Sequence, residues 1–161
     1  MTEGTQRVNR AELAMVFERA IPFNRLLGIR VVEIKDGSAC MAIPFRPELI
    51  GNPLVRSLHG GVMSALLDTC GGVAVWSQVA VNDMVATVDL RVDYLRPALP
   101  EDLRAVGEVV RLGNRVGVVT LRAFHPGREH QPVAAGTGVY NIRRSAEDGA
   151  DGWQRLVASV S

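Results

Sequence analysis

The sequence predicts an α+β domain in which an antiparallel β-sheet wraps around one long, almost wholly apolar helix. The first observation behind this is the run HGGVMSALLDTCGGVAVWS over residues 59–77. Its residues Val62, Ala65, Leu66, Leu67, Val73, Ala74 and Val75 leave hardly any polar face, the pattern of a helix buried on all sides. The second is that two segments rich in strand formers precede the run and four follow it. The third is size. A chain of 161 residues suits one domain and one core.

The elements follow in order. Asn9 with Glu12 three residues later has the form of an N-cap and its reciprocal partner, and Leu13, Val16, Phe17 and Ala20 then recur at helical spacing. This first helix ends near Pro22. Residues 29–35 and 38–45 flank Asp36-Gly37, a strong short hairpin signal, and form the first two strands. Residues 46–58, with Pro47, Gly51 and Pro53, read as a loop entering the central helix. Inside that helix Gly71 and Gly72 each cost ~1 kcal/mol against Ala, so a neighbouring backbone is expected to pack close there. Along residues 85–95, strict alternation puts Val88, Leu90, Val92 and Tyr94 on one face and Thr87, Asp89, Arg91 and Asp93 on the other. Strands at 103–112, 116–124 and 133–143 complete the sheet, and Ala134, Ala135, Gly136 and Gly138 let a helix approach it closely. From Ser145 onward, Glu147, Asp148, Gly149, Asp151 and Gly152 suggest a mobile polar tail, with Trp153, Leu156 and Val157 as its docking anchor. The chain thus divides into an N-terminal helical segment (1–26), the main domain (27–144) and the tail (145–161).

Composition removes several classes of function. The net charge is +1 with both signs interspersed, so no polybasic stretch points to nucleic acid or an anionic membrane. The apolar run approaches the ~20 residues that span a bilayer. A membrane span is nevertheless rejected, because Asp68 at its centre would cost ~3 kcal/mol on insertion and Ser64, Thr69, Ser77 and Gln78 dilute it. Cys40 and Cys70 are isolated, and the polar first ten residues hold no apolar signal core, so the reading is a reducing cytoplasm. Cys70 reads as a small buried hydrophobe. His125 and His130 flank a loop with no matching cluster of ligands, so neither a metal nor a cofactor is expected.

Asp68 is the residue that needs a use. A free charge in an apolar run costs several kcal/mol unless it is paired, protonated or put to work, and no basic residue stands near it at helical spacing. The residues His59-Gly60-Gly61, Asp68 nine positions after the histidine, and Val88-Asp89 to Tyr94-Leu95-Arg96-Pro97 together resemble the hotdog acyl-CoA thioesterases of the phenylacetate-degradation (PaaI-like) type. That resemblance implies a hotdog fold and hydrolysis of an acyl-CoA thioester without a cofactor.

The chemistry can also be argued from the residues. Gly60 and Gly61, at the helix start, present unpaired N–H groups at the positive end of the dipole, with no side chain to block an oxygen. Asp68 suits a general base or nucleophile. The resemblance implies a hydroxyl just before the Val-Asp pair, where Thr87 stands, and an amide six residues before the histidine. Pro53 occupies that amide position, with Asn52 one residue earlier or Arg56 as substitutes. His59, at the edge of the site, is expected to hold the turn ahead of serving as a general base, and Ser64 packs one turn before Asp68, within reach of its carboxylate. Met63, Leu66, Leu67, Val75, Trp76, Phe45 and Leu49 are candidates to line an acyl pocket. Arg91, Arg96, Arg111, Arg115, Arg143 and Arg144 are candidates for CoA phosphates, with Arg91, Arg96 and Arg115 foremost.

Gly60 and Asp68 lie eight residues apart, ~12 Å along one helix, too far to serve a single carbonyl. Two chains are therefore expected, with their helices antiparallel across a twofold axis, as a homodimer or a dimer of dimers. Asn52-Pro53-Leu54 hints at a hydratase or dehydratase motif, but the histidine that should follow it closely is absent. A non-catalytic acyl-CoA-binding protein would have no need of Asp68.

Overall fold

The computed structural model describes residues 7–145 and 150–160. A short helix α1 (Arg10–Met15) continues through a wider π-turn (Val16–Ala20) into α2 (Pro22–Leu27). Strands β1 (Arg30–Lys35) and β2 (Ser38–Ile43) form the first hairpin, whose turn residue Gly37 has φ +76°. A single turn of 3-10 helix (Pro47–Leu49) precedes β3 (Ile50–Asn52) and β4 (Ser57–Leu58). The central helix α3 (Gly60–Trp76) is followed by β5 (Met84–Tyr94), β6 (Leu103–Leu112), β7 (Val116–Phe124), β8 (Ala134–Arg143) and α4 (Ala150–Ala158).

Six strands form one sheet in the order β1-β2-β6-β7-β8-β5, and every neighbouring pair is antiparallel. Helix α3 lies across its concave face. Leu66, Leu67, Cys70, Val73, Ala74 and Val75 are fully buried there against Met41, Ala105, Val119, Leu121 and Ile142. This is the hotdog arrangement, and the apolar helix is its core. Among the described residues no helix is long and apolar enough to cross a membrane.

Several expectations change in detail. The stretch 46–58 is not a plain loop, because β3 and β4 pair as a small hairpin outside the main sheet. Its turn holds Arg56 at φ 50°, a left-handed conformation that costs a non-glycine residue ~1 kcal/mol or more. Gly71 makes room for a side chain and not for a backbone. A Cβ there would overlap the hydroxyl of Tyr140 from β8. Gly138 is open for the same ring, whereas Gly136 lies against the backbone carbonyl of Arg91 in β5. The small residues of β8 therefore admit a tyrosine and a neighbouring strand more than the helix itself.

At the ends of the chain, Asn9 caps α1 by accepting from Ala11 N at 2.9 Å and Glu12 N at 3.4 Å. Glu12 does not reciprocate. Its carboxylate accepts from Trp153 Nε1 at 3.4 Å, which ties the two ends of the chain together. Glu147, Asp148 and Gly149 lie outside the described residues, but Asp151 and Gly152 belong to α4, so a helix replaces the mobile tail there. Trp153 is 7% exposed, with its ring 5.9 Å from that of Trp76, which in turn stands edge-on to Phe17 at 5.6 Å. Such contacts between large rings dominate local packing energy. Trp153→Ala is expected to release α4 while leaving the sheet folded, so trypsin cleavage after Arg155 should accelerate about ten-fold, as for a locally opening segment. Unchanged proteolysis would show that α4 is held by other contacts.

Candidate functional site

Asp68 sits on the flank of α3 that faces β5 and is half-buried. Thr87 Oγ1 donates to its Oδ1 at 2.8 Å. Strict alternation had placed Thr87 on the polar face, away from the helix, and a β-bulge reverses this. The pairing of β5 with β8 slips between Thr87 and Asp89, so Val88 is the extra residue and is left 65% exposed. A bulge of this kind re-aims the side chains beside it, and here it turns Thr87 onto the carboxylate. One carboxylate oxygen is thereby fixed, and the other keeps its lone pairs for a second donor.

At the start of α3, His59 is the N-cap, and its Nδ1 accepts from Gly61 N at 2.9 Å. That bond takes Gly61 out of the expected pair of oxyanion donors. The Gly60 N–H has no partner among the described residues. Tyr94, from the end of β5, donates its hydroxyl to Gly60 O at 3.2 Å and so fixes the peptide that follows the free donor. Ser64 Oγ donates to Gly61 O at 3.2 Å. It supports the first turn of α3 and does not bond Asp68.

Asn52 lies in β3, and its Oδ1 accepts from Leu54 N at 3.0 Å and Val55 N at 3.4 Å. The oxygen shapes the β3–β4 turn, which leaves Nδ2 as the free end of the amide. No hydrogen bond joins Asn52 to Asp68, Thr87 or Gly60 among the described residues. Beside this turn, Phe45, Pro47, Ile50, Pro53 and Arg56 line a depression of about 420 Å³. Of the expected acyl-pocket residues, Phe45 reaches this depression. Met63, Leu66, Leu67 and Val75 are buried in the core, because the face of α3 that carries them is the one pressed onto the sheet.

The arginines separate by partner. Arg91 turns back onto Asp93 at 3.1 Å, and Arg144 holds the buried Asp83 at 2.6 Å. Arg96 is exposed after β5. Arg115 lines two adjoining depressions at the β6–β7 turn, one shared with Arg111 and the other with Arg143 and Arg144.

Two tyrosines were missed as site residues. Tyr94 stood in the Val-Asp to Pro motif without an assigned role. Tyr140 is 1% exposed and donates its hydroxyl to Asp68 O at 2.9 Å; its only signal in the sequence was the pair of glycines that makes room for it. Burial, with the Asp68 charge second, pushes the Tyr140 phenol well above its ordinary pKa, so it stays a donor. Cys70 is fully buried, with its thiol against Ala39 O and Ala105 O, and burial raises its pKa. A nucleophilic role is closed to it. His125 is buried, accepting from Leu99 N at 2.9 Å while its Nδ1 donates to Asp102 O at 2.9 Å, and it braces the β5–β6 loop.

The sequence pattern of the thioesterase superfamily matches residues 56–145, a span from the β3–β4 turn through α3 to the end of β8. A medium/long-chain acyl-CoA thioesterase of Escherichia coli, YigI, is 31% identical over 140 residues, covering 79% of this chain and 89% of that protein. A protein of Halobacterium salinarum that bears a provisional esterase name is 40% identical over 127 residues, covering 73% of this chain and 82% of its own. Among solved structures, a thioesterase family protein from Silicibacter pomeroyi superposes with a TM-score of 0.76 at 27% identity, covering 85% of this chain and 100% of its own. With the matched span holding both the free Gly60 donor and the Thr87–Asp68 pair, the chain belongs to the thioesterase superfamily.

Proposed function

We propose that the protein hydrolyses acyl-CoA thioesters to the free acid and CoA, with Asp68 as general base or nucleophile and Gly60 N–H as oxyanion donor. The observation that carries this is the 2.8 Å hydrogen bond from Thr87 to Asp68. It fixes a carboxylate with one oxygen still free, on the half-buried flank of a largely apolar helix. As general base, Asp68 takes a proton from water as the water oxygen bonds to the thioester carbon. The oxyanion forms against Gly60 N–H. The carbon–sulfur bond then breaks and the thiolate leaves, taking up a proton to give CoA. His59 Nδ1 is committed to Gly61 N, and among the described residues no hydrogen bond joins His59 to a carboxylate, the pair that a dehydratase would use.

Gly60 and Asp68 belong to one straight helix, ~12 Å apart, so each site draws on two chains. Strand β5 ends the sheet, and its outer edge has no strand partner among the described residues. Pairing two such edges across a twofold axis doubles the sheet and sets two α3 helices antiparallel, with Gly60 of one chain beside Asp68 of the other. The depression lined by Phe45, Pro47, Ile50, Pro53 and Arg56 then receives the acyl group on its apolar side chains, and Asn52 Nδ2 lies on the same turn for the carbonyl. For the CoA phosphates the best placed of the expected arginines is Arg115. No carboxylate lines its depressions, whereas Arg91 must first leave Asp93. A depression that shares Arg143 and Arg144 with one of these reaches Met84, three residues before Thr87 and so ~10 Å from it along β5, a span for the pantetheine arm.

On a panel of CoA thioesters of varied chain length, the purified protein is expected to release free thiol, and Asp68→Asn to lower kcat by at least ~100-fold with the fold intact. Thr87→Ala should cost less, about ten-fold, for one lost orienting hydrogen bond. Hydration of an enoyl-CoA without hydrolysis, or binding without turnover, would overturn the assignment.

The shared site is tested by mixing two inactive variants. Gly60→Pro removes the free N–H at a helix position where proline is accepted, and His59, at φ −66° and ψ 135°, has the extended backbone that a following proline requires. A mixed dimer of Gly60→Pro with Asp68→Asn holds one intact site and one doubly damaged site. Refolding equal amounts together is therefore expected to recover about a quarter of wild-type activity under random pairing. No recovery despite proven subunit exchange would place both groups in a single chain's site.

A further inference from the structure

We infer that Tyr140 is a positioning residue for Asp68, acting with Thr87 as a two-strand clamp that fixes the backbone and the carboxylate of that residue separately. This rests on the catalytic reading of Asp68 and adds to it a group that sets where the carboxylate stands. Thr87 and Tyr140 are direct cross-strand partners in the β5–β8 register. From these adjacent positions Thr87 reaches Asp68 Oδ1 at 2.8 Å and Tyr140 reaches Asp68 O at 2.9 Å. The two bonds hold opposite ends of one residue.

A carbonyl inside a helix already accepts the N–H four residues on, so the phenol uses its second lone pair. The helix does not need that bond to form. The surroundings are nevertheless shaped for it. A Cβ at Gly71 would overlap the Tyr140 hydroxyl, and one at Gly138 would lie 2.5 Å from the ring and 2.7 Å from the oxygen. Each glycine in a helix or strand interior weakens its element, yet both stand where any larger residue would displace the phenol. Gly72 is different. A Cβ there meets the ring at 3.7 Å, an ordinary contact.

The bulge at Val88 completes the device. Without the slip between Thr87 and Asp89, the hydroxyl of Thr87 would face away from α3 and the carboxylate would be free to rotate about a fixed backbone. With it, both the position of the Asp68 backbone and the direction of its side chain are set by neighbouring residues of one sheet. Such preorganisation acts on the rate of the chemical step and not on substrate affinity, because the tyrosine touches no part of the substrate.

The test is a double-mutant cycle between Tyr140→Phe and Asp68→Asn, read by steady-state kinetics on a CoA thioester. Tyr140→Phe keeps the ring and removes the hydroxyl. It is expected to lower kcat about ten-fold with KM changed less than about two-fold, and to lower the residual rate of Asp68→Asn by less than about two-fold, since a positioning effect has nothing left to position. Equal losses in both backgrounds would make Tyr140 a purely structural residue, and a wild-type kcat in Tyr140→Phe would remove the clamp altogether. If Asp68→Asn itself retains full activity, the catalytic reading of Asp68 fails first and separately. Should Tyr140→Phe not fold, the pair Gly71→Ala and Gly72→Ala decides. Gly72→Ala is expected within about two-fold of wild-type kcat and Gly71→Ala about ten-fold below it; equal rates for the two would overturn the inference.

Discussion

A lone carboxylate on an apolar helix is the constraint from which the local architecture follows. Helix α3 has to bury nearly its whole surface, and the six-stranded sheet does this by curling around it, but Asp68 cannot join that burial unpaired. The molecule meets the conflict by turning Asp68 toward the flank at β5, where it stays half-buried and accepts from Thr87 at 2.8 Å. That single bond requires a bulge in β5, because a regular strand would point Thr87 the other way. The bulge in turn leaves Val88 exposed on an edge strand. An exposed valine and a broken ladder are therefore local costs of seating one acid.

The helix and main strands were legible because burial leaves a periodic trace. The almost continuous apolar run announced α3, and strands β6 and β7 fall where alternation and turn residues placed them. The β5 bulge left no trace, since one inserted residue changes the phase of the pattern without changing its composition. Strands β3 and β4 were hidden for another reason. They are three and two residues long, too short for any period, in a segment rich in proline and glycine. Helix α4 was obscured by its polar composition; of its expected anchors Trp153, Leu156 and Val157, Trp153 is buried and Leu156 is left 44% exposed.

At the candidate site, residue types were readable and their commitments were not. Sequence marks Gly60 and Gly61 as equivalent donors, and the choice between them is made by His59, whose ring reaches back over one of them. Met63 and Leu67 looked like pocket residues because they are apolar and near Asp68. On a helix wrapped on nearly all sides, however, both are buried in the core, and the depression that Phe45 lines lies off the helix, beside Pro47 and Pro53. Tyr140 lies 72 residues from Asp68 in the chain, and no local pattern could join them. The glycine at 71 recorded that something came close, without saying what.

The two edges of the sheet are treated differently, and this bears on how the proposed shared site would assemble. At β1 the edge is interrupted: the pairing with β2 slips between Val31 and Glu33, and Val31 N–H is taken by the Glu18 carboxylate at 2.7 Å. The π-turn that carries Glu18 packs beside that strand, so the edge is both kinked and covered, two ways in which natural sheets discourage further pairing. Strand β5, at the other edge, is 11 residues long and has no such cover among the described residues. Thr87 is on this strand, Tyr94 at its end supports the Gly60 peptide, and Asp68 faces it from α3. The uncovered edge is thus the one bordered by both halves of the proposed chemistry. A second chain added there would bring its Gly60 donor toward the carboxylate that a single rigid helix holds out of reach.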